Sequence, residues 1–179
     1  MAIYTKRGDK GETSVYDEGP AQGKRISKSS QIVVTLGTID ELNSFIGICV
    51  SHSEDEKLNA ILEEMQKNLL TIGSIIAGSN LRFYIKNTEK LERIIDELEG
   101  SLPVLKNFVY PGGDEIASLL QFSRSLARRA EREAVTLNEL GKVKSQILTY
   151  LNRLSDTLFM LARQQNFRKG VDEKVWKSK

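Results

Sequence analysis

Residues 143–166 read VKSQILTYLNRLSDTLFMLARQQN and decide the fold. Apolar side chains recur every three or four residues along this stretch, at Ile147, Leu151, Leu154, Leu158 and Leu161. The spacing predicts a helix with a narrow apolar stripe, which is typical of a helix that packs lengthwise against neighbouring helices. We therefore expect a helical bundle rather than a sheet protein.

Four earlier segments share this spacing and are separated by glycines, prolines or polar turns. They predict helices from Gln31 to about Val50, over Glu54–Ala77, over Thr88–Leu98 and from Asp114 to about Leu140. The start of the first helix is open, because Thr38-Ile-Asp-Glu41 also has the pattern of a capping box. Five helices joined by short loops predict an all-α, antiparallel five-helix bundle.

The two ends of the chain differ from this bundle. Residues 1–30 contain four glycines and no sustained apolar periodicity, which predicts an extended or looped N-terminal arm. Residues 168–179 are rich in basic side chains and predict a solvated tail with Trp176 as its aromatic anchor. We expect one domain over residues 1–179, with the bundle at residues 31–167.

Charge and composition exclude several classes of protein. A formal net charge of +2, with acidic and basic residues interspersed, argues against nucleic-acid binding. The longest apolar runs, such as Leu69–Ala77, are interrupted by polar residues, so no membrane association is expected. The lone Cys49 and the absence of a secretory signal pattern indicate a cytoplasmic protein.

The single histidine, His52, excludes metal sites that need two histidines, so a di-iron bundle is not expected and no residue is assigned as a metal ligand. Neither His52 nor Cys49 is expected to be catalytic.

The arm concentrates hydroxyl, glycine and basic residues in Thr5-Lys-Arg-Gly-Asp-Lys-Gly-Glu-Thr-Ser14. Glycines allow backbone N–H groups to approach a phosphate chain, and lysine and arginine supply charge. The alternative is a solvated turn. Asp9 is either a turn-forming residue or a carboxylate near a magnesium ion.

The fourth and fifth helices carry matching polar lines. Arg124, Arg128, Glu131 and Arg132 fall on one face of the fourth helix, and Asn152, Asp156 and Arg163 fall on the fifth. A solvated face of ion pairs is one reading. A polar pocket between the two helices is the other, because asparagine and aspartate inside a leucine-rich helix are costly unless they are bonded.

Five segments in register resemble the PduO-type ATP:cob(I)alamin adenosyltransferases. They are Thr5–Ser14, Gly37-Thr-Ile-Asp-Glu-Leu-Asn43, Phe108-Val-Tyr-Pro-Gly-Gly113, Ser123-Arg-Ser-Leu-Ala-Arg-Arg-Ala-Glu-Arg132 and Leu151-Asn-Arg-Leu-Ser-Asp-Thr-Leu-Phe159. The resemblance spans nearly the whole chain and implies the ferritin-like bundle of that family.

This resemblance implies transfer of the 5′-deoxyadenosyl group of ATP to the cobalt of reduced cobalamin. It assigns nucleotide contacts in the arm to Thr5, Lys6, Arg7, Gly8, Asp9, Thr13, Ser14 and Lys28, and contacts in the helices to Arg128, Arg129, Glu131, Arg132 and Asn152. A magnesium ion would accompany the triphosphate.

The resemblance also implies catalytic roles for Arg128, Phe108, Asp40 and Arg124. Phe108 would lie against the corrin, and Asp40 would pair with Arg124 of a neighbouring chain in a homotrimer whose active sites lie between subunits. A flavoprotein reductase and an adenosylcobalamin-dependent mutase are the implied protein partners. Two alternatives are an inactive corrinoid and ATP carrier or sensor with the same fold, and a purely structural bundle.

Overall fold

The computed structural model describes residues 4–16 and 23–177, in which five helices follow a short hairpin. The elements are β1 (Glu12–Val15), β2 (Lys24–Ser27), α1 (Gln31–His52), α2 (Glu56–Ile76), α3 (Lys86–Ser101), α4 (Glu115–Glu139) and α5 (Ser145–Arg168). Residues 1–3 and 17–22 of the predicted arm and residues 178–179 of the predicted tail lie outside the described residues. The predicted five-helix bundle is confirmed.

Helix α5 lies at the centre of the packing, between α3 and α4, while α1 packs between α4 and α2. The predicted apolar stripe of α5 is buried: Leu151, Leu154 and Leu158 have no exposed surface, and Leu161 has almost none. Burying such a side chain stabilises the fold by about 1.5–3 kcal/mol. The leucine periodicity of α5 therefore supplies the centre of the core.

Helix starts follow their capping residues. The Asp55 carboxylate accepts hydrogen bonds from the backbone N–H groups of Lys57 and Leu58 at the start of α2, and Asp114 accepts one from Ile116 at the start of α4. The capping box predicted at Thr38 is wrong, because α1 already begins at Gln31. The Thr38 hydroxyl donates to the Thr35 carbonyl instead, since the same residue pattern also fits the interior of a helix.

Helix α1 corrects the expectation that no apolar segment is long enough to cross a membrane. By length and composition alone it could span one, since Asp40 and Glu41 are its only acidic or basic residues apart from His52. It buries Leu42, Ile46 and other residues against α2 and α4, as a core helix does. A single such helix is weak evidence for a membrane segment, because core helices of bundles pass the same test.

The described part of the arm is an antiparallel hairpin in which Thr13 pairs with Ile26. It is attached to the end of α2, where the backbone N–H of Tyr16 donates to the Ala77 carbonyl at 2.7 Å. Gly78 allows this approach, because a Cβ atom at that position would lie 2.7 Å from the Tyr16 oxygen. The arm is thus held to the bundle by backbone groups.

Candidate functional site

The first cluster of predicted site residues lies at the base of the hairpin. The Lys28 ammonium lies over Gly8, where a Cβ atom would be only 3.2 Å from Nζ. The backbone N–H of Lys28 donates to the Gly11 carbonyl at 2.8 Å. Glycine at position 8 therefore permits the lysine and the start of the arm to meet, as the resemblance implies.

The side chains of this cluster are mostly open to solvent. Thr5, Lys6, Arg7, Asp9, Ser14 and Lys28 are exposed, while Gly8 and Thr13 are half-buried. Arg25, which the sequence reasoning missed, holds the hairpin in shape: it donates to the Arg7 carbonyl at 2.7 Å and to the Ser14 hydroxyl at 3.2 Å. Arg25 lies opposite Ser14 in the hairpin, and a basic residue opposite a hydroxyl is too common a pattern to single out in a sequence.

The second cluster lies on α4. Arg124 donates through Nε to the Gln121 side chain at 2.9 Å, and burial together with the Arg128 charge lowers the pKa of Arg124. Arg128 itself is exposed and forms no ion pair within the described part of the chain. Arg124 and Arg128 lie one turn apart on α4, so this helix offers two neighbouring guanidinium groups that an anion can bind.

The adjacent positions on α4 are engaged within the chain. Arg129 forms an ion pair with Glu41 of α1, and the Asn152 amide of α5 donates to Glu131 at 2.9 Å. Arg132 is exposed and donates to the Arg128 carbonyl at 3.1 Å. These contacts fix the orientation of the helix face that carries Arg128.

A cleft of about 1110 Å³ opens beside Arg124 and Arg128, and α3, α4, α5 and the segment before α4 form its walls. Phe108 and Phe159 give it apolar surface, and Asp156 and Arg163 extend its polar side. Of the polar lines predicted on the fourth and fifth helices, Arg124, Arg128, Asp156 and Arg163 line this cleft, whereas Glu131 and Arg132 do not. Asn152 is not among the residues that line it.

Arg153 is a cleft residue that sequence reasoning missed. Its guanidinium donates to Glu92 of α3 at 3.1 Å and to Asp156 at 2.9 Å. The spacing of Arg153 and Asp156 along one helix is a usable signal for their pairing. The partner on α3 could not be identified without knowing which helices are neighbours.

Phe108 lies at the mouth of the cleft with 80% of its surface exposed. The segment that carries it, residues 102–114, is not helical. Its backbone pairs with the C-terminal tail through an antiparallel bridge between Val109 and Val175. Residues 174–176 of the predicted solvated tail keep exposed side chains, but their backbone groups pair with those of this extended segment.

The two clusters are separate within one chain. No hydrogen bond or ion pair joins the arm residues Thr5–Ser14 and Lys28 to Arg124, Arg128 or Phe108 in residues 4–16 and 23–177. Asp40 is exposed on α1 and forms no ion pair with Arg124 in the same described residues. In the described residues the hairpin and the cleft are thus two groups of predicted site residues without a direct polar contact between them.

Comparisons with known proteins place these features in a family. The family model for cobalamin adenosyltransferases matches residues 3–165. The corrinoid adenosyltransferase of Bacillus subtilis is 41% identical over 97% of this chain and 91% of its own length. The corrinoid adenosyltransferase PduO of Citrobacter freundii is 38% identical over 93% of this chain and 50% of its own length.

A solved structure has the same fold over its whole length. It is a variant of the PduO-type ATP:corrinoid adenosyltransferase from Lactobacillus reuteri, complexed with cobalamin and ATP. The TM-score is 0.92 at 32% identity, and the match covers 99% of this chain and 100% of that chain.

Proposed function

The chain belongs to the cobalamin adenosyltransferase family, and we propose that it transfers the 5′-deoxyadenosyl group of ATP to the cobalt of cob(I)alamin. The products are adenosylcobalamin and triphosphate. The observation that carries this proposal is the cleft lined by both Phe108, which faces solvent, and Arg128, which has no ion pair in the described part of the chain. It offers an aromatic surface for a macrocycle and a cation for a phosphate chain in one place.

The reaction is a nucleophilic substitution at carbon. The Co(I) electron pair of the corrinoid substrate forms the bond to C5′, and the C5′–O bond breaks with its electrons remaining on the triphosphate. The corrinoid itself is the nucleophile, so the protein has to align the reactants and stabilise the leaving group. This accounts for a site built around arginine, lysine and phenylalanine rather than an activated serine or cysteine.

Arg128 and Lys28 are the groups we assign to the leaving triphosphate. Both are exposed and neither forms an ion pair in the described residues, so their charge is available to an anion. The remaining nucleotide contacts are assigned to Arg129, Arg132, Glu131 and Asn152 on the helices and to Thr5, Lys6, Arg7, Gly8, Thr13 and Ser14 in the arm. Charge-assisted hydrogen bonds of this kind are about twice as strong as neutral ones.

Phe108 is assigned to the lower face of the corrin. Its exposed ring would exclude a water molecule or a base from the lower axial position of cobalt, which makes Co(II) easier to reduce to Co(I). An aromatic ring suits this role because it is bulky, apolar and unable to act as a ligand.

We assign completion of the site to a second copy of the chain in a homotrimer. The separation of the hairpin from the cleft within one chain supports this assembly. Asp40 of one subunit would pair with the partner subunit's Arg124, whose burial and proximity to Arg128 favour an added carboxylate. The arm of one subunit would then reach the cleft of the next.

Magnesium fits the site as an ion carried mainly by the substrate phosphates. No cluster of three or more potential ligand residues occurs among the residues that the structure describes. Mg²⁺ commonly binds through phosphates, water and one or two carboxylates, and the exposed Asp9 is the carboxylate of the arm. The ion would supply charge neutralisation on the triphosphate.

In the cell, we place the protein in the cytoplasm, with a flavoprotein reductase supplying electrons to the corrinoid and an adenosylcobalamin-dependent mutase using the product. The buried, unpaired Cys49 is compatible with a reducing compartment.

The test is an anaerobic assay with ATP, magnesium and chemically reduced cobalamin, followed by visible absorption. We expect protein-dependent loss of the Co(I) band and growth of the adenosylcobalamin spectrum. If a folded protein binds ATP and corrinoid but leaves the Co(I) band unchanged, the proposal fails and the carrier or sensor reading replaces it.

A further inference from the structure

The position of Phe108 depends on the C-terminal tail. The backbone N–H of Trp176 donates to the Phe108 carbonyl at 2.8 Å, and the N–H of Tyr110 donates to the Lys174 carbonyl at 2.8 Å. Val109 and Val175 form the antiparallel bridge between these two bonds. Because the Phe108 ring is largely exposed, these backbone contacts, rather than side-chain packing, hold the residue in place.

Arg163 holds the tail. This side chain of α5 is only 6% exposed, and its Nε donates to Glu173 Oε1 at 2.9 Å while its terminal nitrogen donates to Oε2 at 3.0 Å. The same terminal nitrogen donates to the Pro103 carbonyl at 2.8 Å. One guanidinium therefore joins α5, the tail and the start of the segment that carries Phe108, in the two-pronged geometry that arginine favours with carboxylates.

We propose that Arg163 and Glu173 are positioning residues for Phe108 in adenosyl transfer. The inference rests on the proposed function, in which Phe108 meets the lower face of the corrin. The ion pair keeps the tail docked beside Phe108, and the docked tail fixes the position of the ring at the mouth of the cleft. Small displacements of groups that position a reaction have large effects on rate.

A general structural role does not account for this arrangement. The buried apolar core ends at Ala162 in the described residues, so the tail adds no core side chain there. The ion pair therefore holds a segment whose backbone is hydrogen-bonded to Phe108 and Tyr110. Loss of the pair should release the tail while the bundle stays folded.

The central variant is Glu173→Gln, which keeps the size of the side chain but removes the charge and one of the two acceptor oxygens. The control is Asp172→Asn, because Asp172 is an exposed carboxylate of the same tail without an ion pair in the described residues. We expect Glu173→Gln to lower kcat about 10-fold with the KM for ATP nearly unchanged. Arg163→Lys, which keeps the charge but not the two-pronged geometry, should fall between this variant and the unmodified protein.

A spectroscopic readout separates positioning from stability. With cob(II)alamin and ATP bound, we expect Glu173→Gln to reduce the fraction of corrinoid that has lost its lower axial ligand, measured by visible absorption and electron paramagnetic resonance. Trp176 is the only tryptophan of the chain, so the anisotropy of its fluorescence should fall when the tail is released. Asp172→Asn should change neither signal.

The decisive comparison places Glu173→Gln in a Phe108→Ala background. If the pair acts through Phe108, the double variant is as slow as Phe108→Ala alone, whereas independent effects multiply. Multiplicative effects, or Glu173→Gln with wild-type kinetics and wild-type Trp176 anisotropy, overturn the inference. Absence of adenosyl transfer in the unmodified protein would instead contradict the proposed function, and the Trp176 signal would still report whether the pair docks the tail.

Discussion

The N-terminal hairpin and the Phe108 segment are both non-helical parts of the site, yet they are held in different ways. The hairpin is fixed by backbone pairing and by Arg25, and its Lys28 side chain is exposed. The Phe108 segment is held by buried side chains of α5, namely Arg163 and Asn166. The hairpin therefore presents charges to solvent, whereas the Phe108 segment is positioned before any substrate binds.

This difference matches the two chemical tasks. A flexible triphosphate can be bound by side chains that lose rotamer freedom on binding, at a cost of up to about 2 kcal/mol for each lysine or arginine. A rigid corrin needs an opposing surface at a fixed distance from its lower face. The Phe108 ring, which would displace the axial ligand, makes no polar contact with the corrin that could guide it into place. Pre-organisation is thus concentrated where the partner is rigid.

The largest expected effect is on catalysis by Arg128, which α4 presents from the rigid side of the site. Arg128→Ala should lower kcat/KM, which corresponds to a loss of about 2–4 kcal/mol of transition-state stabilisation. The reason is that the charge developing on the leaving triphosphate loses its stabilising cation. Steady-state kinetics with reduced cobalamin and ATP measures this loss. The thermal midpoint should change little, since Arg128 is exposed.

Arg93→Ala is the matched control for Arg128→Ala. Arg93 is an exposed arginine on α3 that does not line the cleft. Equal losses of activity in the two variants would contradict the role of Arg128.

The next effect concerns the stability of the Phe108 segment. The buried Asn166 amide donates to the Gly112 carbonyl at 2.9 Å and accepts from the backbone N–H of Asp114 at 2.9 Å. Asn166→Ala removes both bonds and should lower the free energy of unfolding by about 2 kcal/mol. Urea denaturation measures the change.

Asn107→Ala serves as the comparison for Asn166→Ala, because Asn107 is exposed in the same segment and should change stability by no more than about 0.5 kcal/mol. If the two variants lose the same stability, the segment is not held by α5 in the way described.

Sequence reasoning reached the bundle because apolar periodicity is a local signal. The predicted start of the last helix at Val143 lies two residues before the observed start at Ser145, and the predicted end at Asn166 lies two residues before Arg168. The sequence offers two starts for α1, Gln31 and the capping-box pattern at Thr38, and the structure shows the first. Whether such a pattern starts a helix or lies inside one depends on the hydrogen-bond partners of its side chains, and the structure is needed to identify them.

The contacts by which Arg163 and Asn166 hold the Phe108 segment could not be predicted for a related reason. The sequence predicts Arg163 as part of a polar line on the fifth helix, but its partners Glu173 and Pro103 come from two segments without periodicity. The sequence predicts Asn166 only as the last residue of that helix. Pairing between irregular segments that are far apart in sequence leaves no spacing pattern. Cleft residues on the helices could therefore be predicted, but the contacts that hold the Phe108 segment could not.

The hairpin should respond differently from the Phe108 segment when a side chain is removed. Lys28→Ala should weaken ATP binding by about 1 kcal/mol, the loss of one charge-assisted hydrogen bond at an exposed site. It should leave the free energy of unfolding unchanged, because Lys28 is exposed. Calorimetric titration with ATP gives the affinity, and urea denaturation gives the stability.

Lys10→Ala is the control for Lys28→Ala, since Lys10 is an exposed lysine of the same arm that is not assigned to the nucleotide. A loss of affinity as large as that of Lys28→Ala would mean that the arm contributes only general positive charge.

The smallest effect is the response of the two regions to salt, and it follows from the burial of their polar groups. The Debye length falls from about 10 Å at 0.1 M to about 3 Å at 1 M ionic strength, so an exposed charge such as Lys28 is strongly screened. We expect the contribution of Lys28 to ATP binding to fall by about 0.5 kcal/mol over this range. The effect of Asn166→Ala on stability should stay constant, because its hydrogen bonds are neutral and buried.

Parallel ATP titrations and urea denaturations at the two salt concentrations test both statements. Equal salt dependence in the two regions would mean that the hairpin, like the Phe108 segment, is held ready by buried contacts.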